Sequence, residues 1–195
     1  MNQATGTGAA LHRDILLQSN AMTPQDINNN FQKTITIWKN LVDNYTDTEF
    51  ATKPDENDWS IGQVCRHLIN NCNNFAFSNI EKCISGSENV QEQKTEMGEK
   101  ALAANELPDI QIKVPPSLQR TPIQPESKQV VKNDFKLLED RFRNVANEVS
   151  KSANNGKTKH PLLGFLNGRE WLQLVDIHFR HHLRQKERID IFLKK

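Results

Sequence analysis

The sequence predicts an all-α chain folded as a four-helix bundle, with a long crossover between the second and third helices. Three observations carry this reading. Apolar residues recur at alternating steps of three and four along four separate stretches, the period of a helix with one buried face. Those stretches open on strong helix-start signals. No strand of consequence is expected between them.

Residues 1–22 carry little pattern and are read as a loose N-terminal arm, although His12-Arg13-Asp14-Ile15-Leu16-Leu17 could add a turn of helix. The bundle domain is assigned to 23–195. Thr23-Pro24-Gln25-Asp26 supplies an N-cap residue, a proline at the first helical position and an acid in the first turn. Ile27, Phe31, Ile35, Trp38, Val42 and Tyr45 then mark the buried face of a first helix ending near Asn44. A polar connection, Thr46 to Asp58, leads to Ser60 and Gln63, a capping box, with Trp59 placed to staple onto Val64. The second helix carries the stripe Ile61, Cys65, Leu68, Cys72 and Phe75 and fades near Ser85-Gly86-Ser87. Beside that stripe runs a polar row, Val64, His67, Asn71 and Asn74, suited to the rim of a pocket.

Residues 87–124 are charged and proline-bearing, with room for a short helix over Glu99 to Asn105, and are read as a crossover partly covering one end of the bundle. The third helix follows Pro125, with Val131, Phe135, Leu138, Phe142, Val145 and Val149 inward, and Lys132, Asp134, Lys136, Glu139, Asp140 and Arg141 on solvated faces. Asn154-Asn155-Gly156 ends it. His160 to Leu166 form an apolar connection that should pack. Asn167 caps the fourth helix, with Glu170 at its third position and Leu166 stapling onto Trp171.

The fourth helix carries the most informative pattern. Trp171, Val175, His178, His182, Gln185, Ile189 and Phe192 step by four and three along one face, so two imidazoles stand where a bundle would otherwise place leucine. Burying unpaired polar groups costs roughly 1–3 kcal/mol each, and a divalent cation partners both rings at once. The spacing matches the H-E-x-x-H helix of metalloproteases, but Phe179 stands where the general-base glutamate would be. A third ligand must come from elsewhere. His67 lies in the polar row of the second helix, His12 in the arm, His160 in a loop, and His181 about 100° round the helix from His182.

The remaining composition narrows the function. The 195 residues suit one domain, and the net charge of +1 calls for neither nucleic acid nor an anionic membrane. Arg180, Arg184, Lys186, Arg188, Lys194 and Lys195 form a basic cluster near the C-terminus, but Glu187 and Asp190 interrupt it, as in a solvated helix end. No apolar run approaches a membrane span and no signal segment opens the chain, so a cytoplasmic protein without membrane contact is expected. Cys65, Cys72 and Cys83 form no even framework and are read as inert thiols.

Trp59-Ser60-Ile61-Gly62-Gln63, Arg66-His67-Leu68, His160-Pro161-x-x-Gly164, and Gly168 to Gln185 with Glu170-Trp171 and His178-Phe179-Arg180-His181-His182 together resemble the DinB-like superfamily. The similarity points to its branch of metal-dependent hydrolases and bacillithiol S-transferases. The resemblance implies a bundle holding one divalent cation, usually zinc or nickel, through His67, His178 and His182, with a second copy of the chain as a family-style dimer partner. No catalytic residue beyond these ligands is expected. Gln185 and His181 are candidates for supporting contacts.

Three neutral imidazoles leave a coordination position open. The expected activity is transfer of a low-molecular-weight thiol cosubstrate to an electrophilic small molecule. Hydrolysis by metal-activated water is the alternative enzymatic reading, and a stress-response or binding module with a structural metal is the non-enzymatic one.

Overall fold

The computed structural model describes residues 21–108 and 121–195, and all but the last two residues of the expected 1–22 arm, with the middle of the crossover, lie outside them. Helix α1, Pro24–Leu41, is followed by a 3₁₀ turn, Val42–Asn44. Thr23 and Asp26 close its capping box. The expected polar connection contains a short helix, α2, Asp47–Ala51, with a second capping box from Thr46 and Glu49. This Thr-x-x-Glu signal stands in the sequence, and the helix buries Phe50.

Helix α3, Ile61–Asn71, starts on the Ser60–Gln63 box and runs through a π turn, Cys72–Ala76, into α4, Phe77–Ser85. Through the π turn the core-facing residues are Cys72, then Ala76 and Phe77 side by side, before Ile80 and Cys83. Phe75, expected on the buried stripe, is half-buried at its edge and packs against the core. The crossover contributes α5, Glu96–Ala104, capped by Thr95. Helix α6, Lys128–Lys151, is capped by Ser127 and buries Val131, Phe135, Leu138, Phe142 and Val145 as expected.

Two expectations give way here. The connection before the last helix is a β-hairpin, β1 Lys157–His160 and β2 Gly164–Asn167, antiparallel with His160 opposite Gly164. His160 thus ends a strand. Gly164, at φ +77, makes the tight turn, and the backbone of Gln93 to Thr95 packs against its Cα. The charged faces of α6 are also less solvated than expected. Lys132 pairs with Asp43, Asp134 with Arg66, Glu139 with Lys39 and Arg141 with Glu81. Such partly exposed pairs are worth about 0–1 kcal/mol each, so they align the helices more than they hold them together.

Helix α7, Gly168–Leu193, is capped by the Asn167–Glu170 box, and Lys94 pairs with Glu170. Its first half is buried on every side. The expected stripe faces the bundle, while Ile177 on another face packs against Ala101 and Leu107 of the crossover. Buried Gln173 donates to Leu102 O and Asn105 Oδ1, and Arg180 donates to Asp176 and Asn105 O. The crossover thus lies along the flank of α7. The stripe ends sooner than expected, because Phe192 is 45% exposed.

Phe179 lies at the centre of the aromatic core, 5.1 Å edge-on from Phe31 and 6.3 Å from Phe135, while Phe31 stacks on Phe142 at 3.9 Å. Trp38 Nε1 donates to the Phe179 carbonyl at 3.2 Å, a bond from α1 into the middle of α7. Among the described residues no helix is long and apolar enough to cross a membrane.

A Cβ at Gly164 would sit 2.6 Å from the Thr95 nitrogen in a conformation L residues rarely adopt. Gly164→Ala is therefore expected to lower stability by about 1–3 kcal/mol, read from urea denaturation with an unchanged m-value.

Candidate metal centre

The site is assembled by two helices whose starts are fixed. His67 stands on α3, two turns below the Ser60–Gln63 cap. Gln63 Nε2 donates to Pro122 O, and the Ser60 hydroxyl to Gln124 Oε1, so the returning end of the crossover is tied to the same helix start. Arg66, one residue before His67, pairs with Asp134 at 2.8 Å and fastens α3 to α6. His178 and His182 stand one turn apart on α7 and flank Phe179, so the buried aromatic cluster determines where both imidazoles point.

The structure brings the three histidines together. His67 Nε2 lies 3.2 Å from His178 Nε2, and His182 Nε2 lies 3.0 Å from the same atom. The ligand-capable nitrogens of all three lie within 4.8 Å of one another. Ligands at about 2.0–2.1 Å around a tetrahedral zinc ion stand about 3.3–3.4 Å apart, close to the two short separations here. Protons alone serve this arrangement poorly. One proton on His178 Nε2 can be aimed at only one neighbour, leaving the other close nitrogen without a hydrogen bond to it, whereas a cation accepts a lone pair from each of the three rings.

Gln185 fixes one tautomer. Its Oε1 lies 2.7 Å from His182 Nδ1 and can only accept, so Nδ1 carries the proton and Nε2 presents a lone pair to the cluster. His181, the other candidate, lies with its ring 5.6 Å from that of His182 and stands outside the three-nitrogen group.

Burial keeps these rings neutral. It pushes His67 down to about 4 and, with His67 as a further cause, His182 down to about 3. His178 is held well below the ordinary value by burial and then by its two neighbours. Neutral imidazoles are the form that binds a metal.

Two neighbours stand closer to the cluster than the sequence indicated, Trp59 and His160, the latter weighed only as a loop residue. The ring of Trp59, expected only as a staple, lies 5.0 Å from that of His67 and walls the cluster on one side. His160 lies near enough that a charge on it would further depress His178. The row Val64, His67, Asn71, Asn74 signalled a rim, but no spacing rule reaches from the hairpin across to α7. All three cysteines are buried and free, and burial pushes each thiol up, leaving them poor nucleophiles as expected.

In the unfolded chain these histidines titrate near 6.5. Between that value and about 4 the unfolded chain binds more protons than the folded metal-free protein, so stability falls as pH drops through this window. Melting temperatures of metal-free protein between pH 7.5 and 4.5 should show this loss, and His67→Phe should shrink it. Gln185→Met should weaken metal binding about 10–100-fold while the three ligands remain, measured by competition with a chromophoric chelator.

No curated protein and no solved structure matches the chain. A family model described as the DinB superfamily matches residues 30–185, a span holding all three histidines, the whole of α3 and most of α7. Together with the mostly helical fold, this shows that the chain belongs to the DinB superfamily.

Proposed function

We propose that His67, His178 and His182 hold one divalent cation, zinc or nickel, and that the protein is an enzyme transferring a low-molecular-weight thiol to an electrophilic small molecule. The convergence of three neutral Nε2 atoms, 3.0 and 3.2 Å apart along two edges, carries this reading. When bound there, the cation supplies Lewis acidity at an open coordination position and lowers the pKa of a thiol that reaches it.

The chain's own groups favour thiol chemistry with an external nucleophile. Among the described residues the ligand group is three imidazoles and includes no carboxylate. The three cysteines are shut in the core. A cosubstrate must therefore bring the sulfur. In the transfer, its S–H proton is released to solvent, its sulfur forms a bond to the electrophilic carbon, and the leaving group departs with the electrons of the broken bond. The protein holds and orients, with Gln185 aiming His182 and Trp59 shielding His67 from water.

Elemental analysis of untagged protein should find about one equivalent of metal. His67→Ala and His178→Ala should each abolish both metal and thiol consumption with an electrophile such as 1-chloro-2,4-dinitrobenzene. Metal far below one equivalent would contradict the site, and a loaded protein that hydrolyses esters while consuming no thiol would contradict the transfer.

A further inference from the structure

Beside the three histidines, the π turn, the hairpin and α7 bring together a second group of rings. Across the π turn Cys72, Ala76 and Phe77 are buried while Phe75 is half-buried at the edge of the core, where its ring meets Trp171 edge-on at 5.3 Å. His160, also half-buried, lies 6.0 Å from Phe75 and 5.5 Å from Trp171. π turns of this kind are frequent at functional sites. Trp171 is 1% exposed, and its Nε1 is committed to Thr158 Oγ1 at 2.8 Å, so it serves as an apolar floor.

His160 has a fixed polarity. Its Nδ1 accepts from the amides of Leu162 and Leu163 at 3.2 and 3.1 Å. The proton of the neutral ring therefore resides on Nε2, the one ring nitrogen left to donate. Burial, which pushes His160 down to about 4, keeps it in this neutral form. Trp171 and His178 are seven residues apart on one face of α7, so the rings lie about 10 Å along the helix from the three-nitrogen cluster.

We propose that Phe75 and His160, floored by Trp171, form a subsite for the body of the substrate: a flat apolar group carrying a hydrogen-bond acceptor at its edge. This rests on the thiol-binding metal centre proposed above. Phe75 packs against the flat group and His160 Nε2 donates to the acceptor, while the reacting sulfur lies at the three histidines.

The test uses the full chain loaded with cobalt(II), with thiol binding read from the sulfur-to-cobalt charge-transfer band. Butane-1-thiol, 4-phenylbutane-1-thiol and 4-(pyridin-4-yl)butane-1-thiol are titrated in turn. The phenyl compound should bind about tenfold tighter than the plain alkyl thiol, and the pyridyl compound tighter again. Phe75→Ala should bring the affinities for the phenyl and the plain alkyl thiol to about the same value.

Two variants separate binding by His160 from mere support of the hairpin. The amide nitrogen of His160→Gln overlays Nε2 and should keep the pyridyl gain. The oxygen of His160→Asn overlays Nδ1, so it holds the turn but should lose that gain. Equal affinities for the three thiols, a phenyl gain surviving in Phe75→Ala, or rescue by Asn and failure by Gln would overturn the subsite. Absence of cobalt binding, or of the band with every thiol, would instead overturn the metal-centre reading beneath it.

Discussion

The rotational setting of α7 about its own axis is the constraint on which the rest of this structure depends. Phe179 is fully buried among Phe31, Trp38 and Phe135, and the Trp38 indole grips its carbonyl. Losing such a side chain costs about 3–5 kcal/mol in a typical core, so the helix has little freedom to roll. Because residues 178 and 182 flank Phe179, the same packing points both imidazoles at α3. The site's geometry follows from hydrophobic packing on another face of the helix that carries it.

That arrangement explains why a stability-driven core tolerates polar rings. A buried imidazole without a partner is costly, and three of them converging are costlier. The cost is tolerable where a ligand repays it, and Gln185 shows that the outer nitrogen of His182 has already been supplied with a partner. Trp59 and the crossover ties at Gln63 and Ser60 hold α3 at the depth where His67 reaches the other two rings.

Much of this was legible in the sequence. Ser60 with Gln63 and Asn167 with Glu170 signal capping boxes that the structure contains, and the expected N-cap Thr23 is in place, with Asp26 closing a box there too. The four inward stripes follow helical periodicity, and the i, i+4 histidines reveal themselves by standing on one of them. What escaped was decided by contacts distant in sequence or by small irregularities. The π turn shifts the register and leaves no compositional mark, so Phe75 is expected fully in the core when it is half-buried at its edge beside Trp171. The hairpin strands, four residues each, are too short to carry a periodic signal, and their closure depends on Gly164 meeting the chain near Lys94. Likewise the pairing of α6 charges with Asp43, Arg66, Lys39 and Glu81 depends on which helix lies alongside, which local pattern does not encode.

X-ray absorption at the metal edge of the loaded, untagged protein tests the central claim most directly. Convergence of His67, His178 and His182 predicts three nitrogen scatterers at about 2.0–2.1 Å, with the outer-shell signature of imidazole, and one imidazole fewer in His67→Ala. A first shell of oxygen atoms alone, or three imidazoles persisting after that substitution, would contradict it.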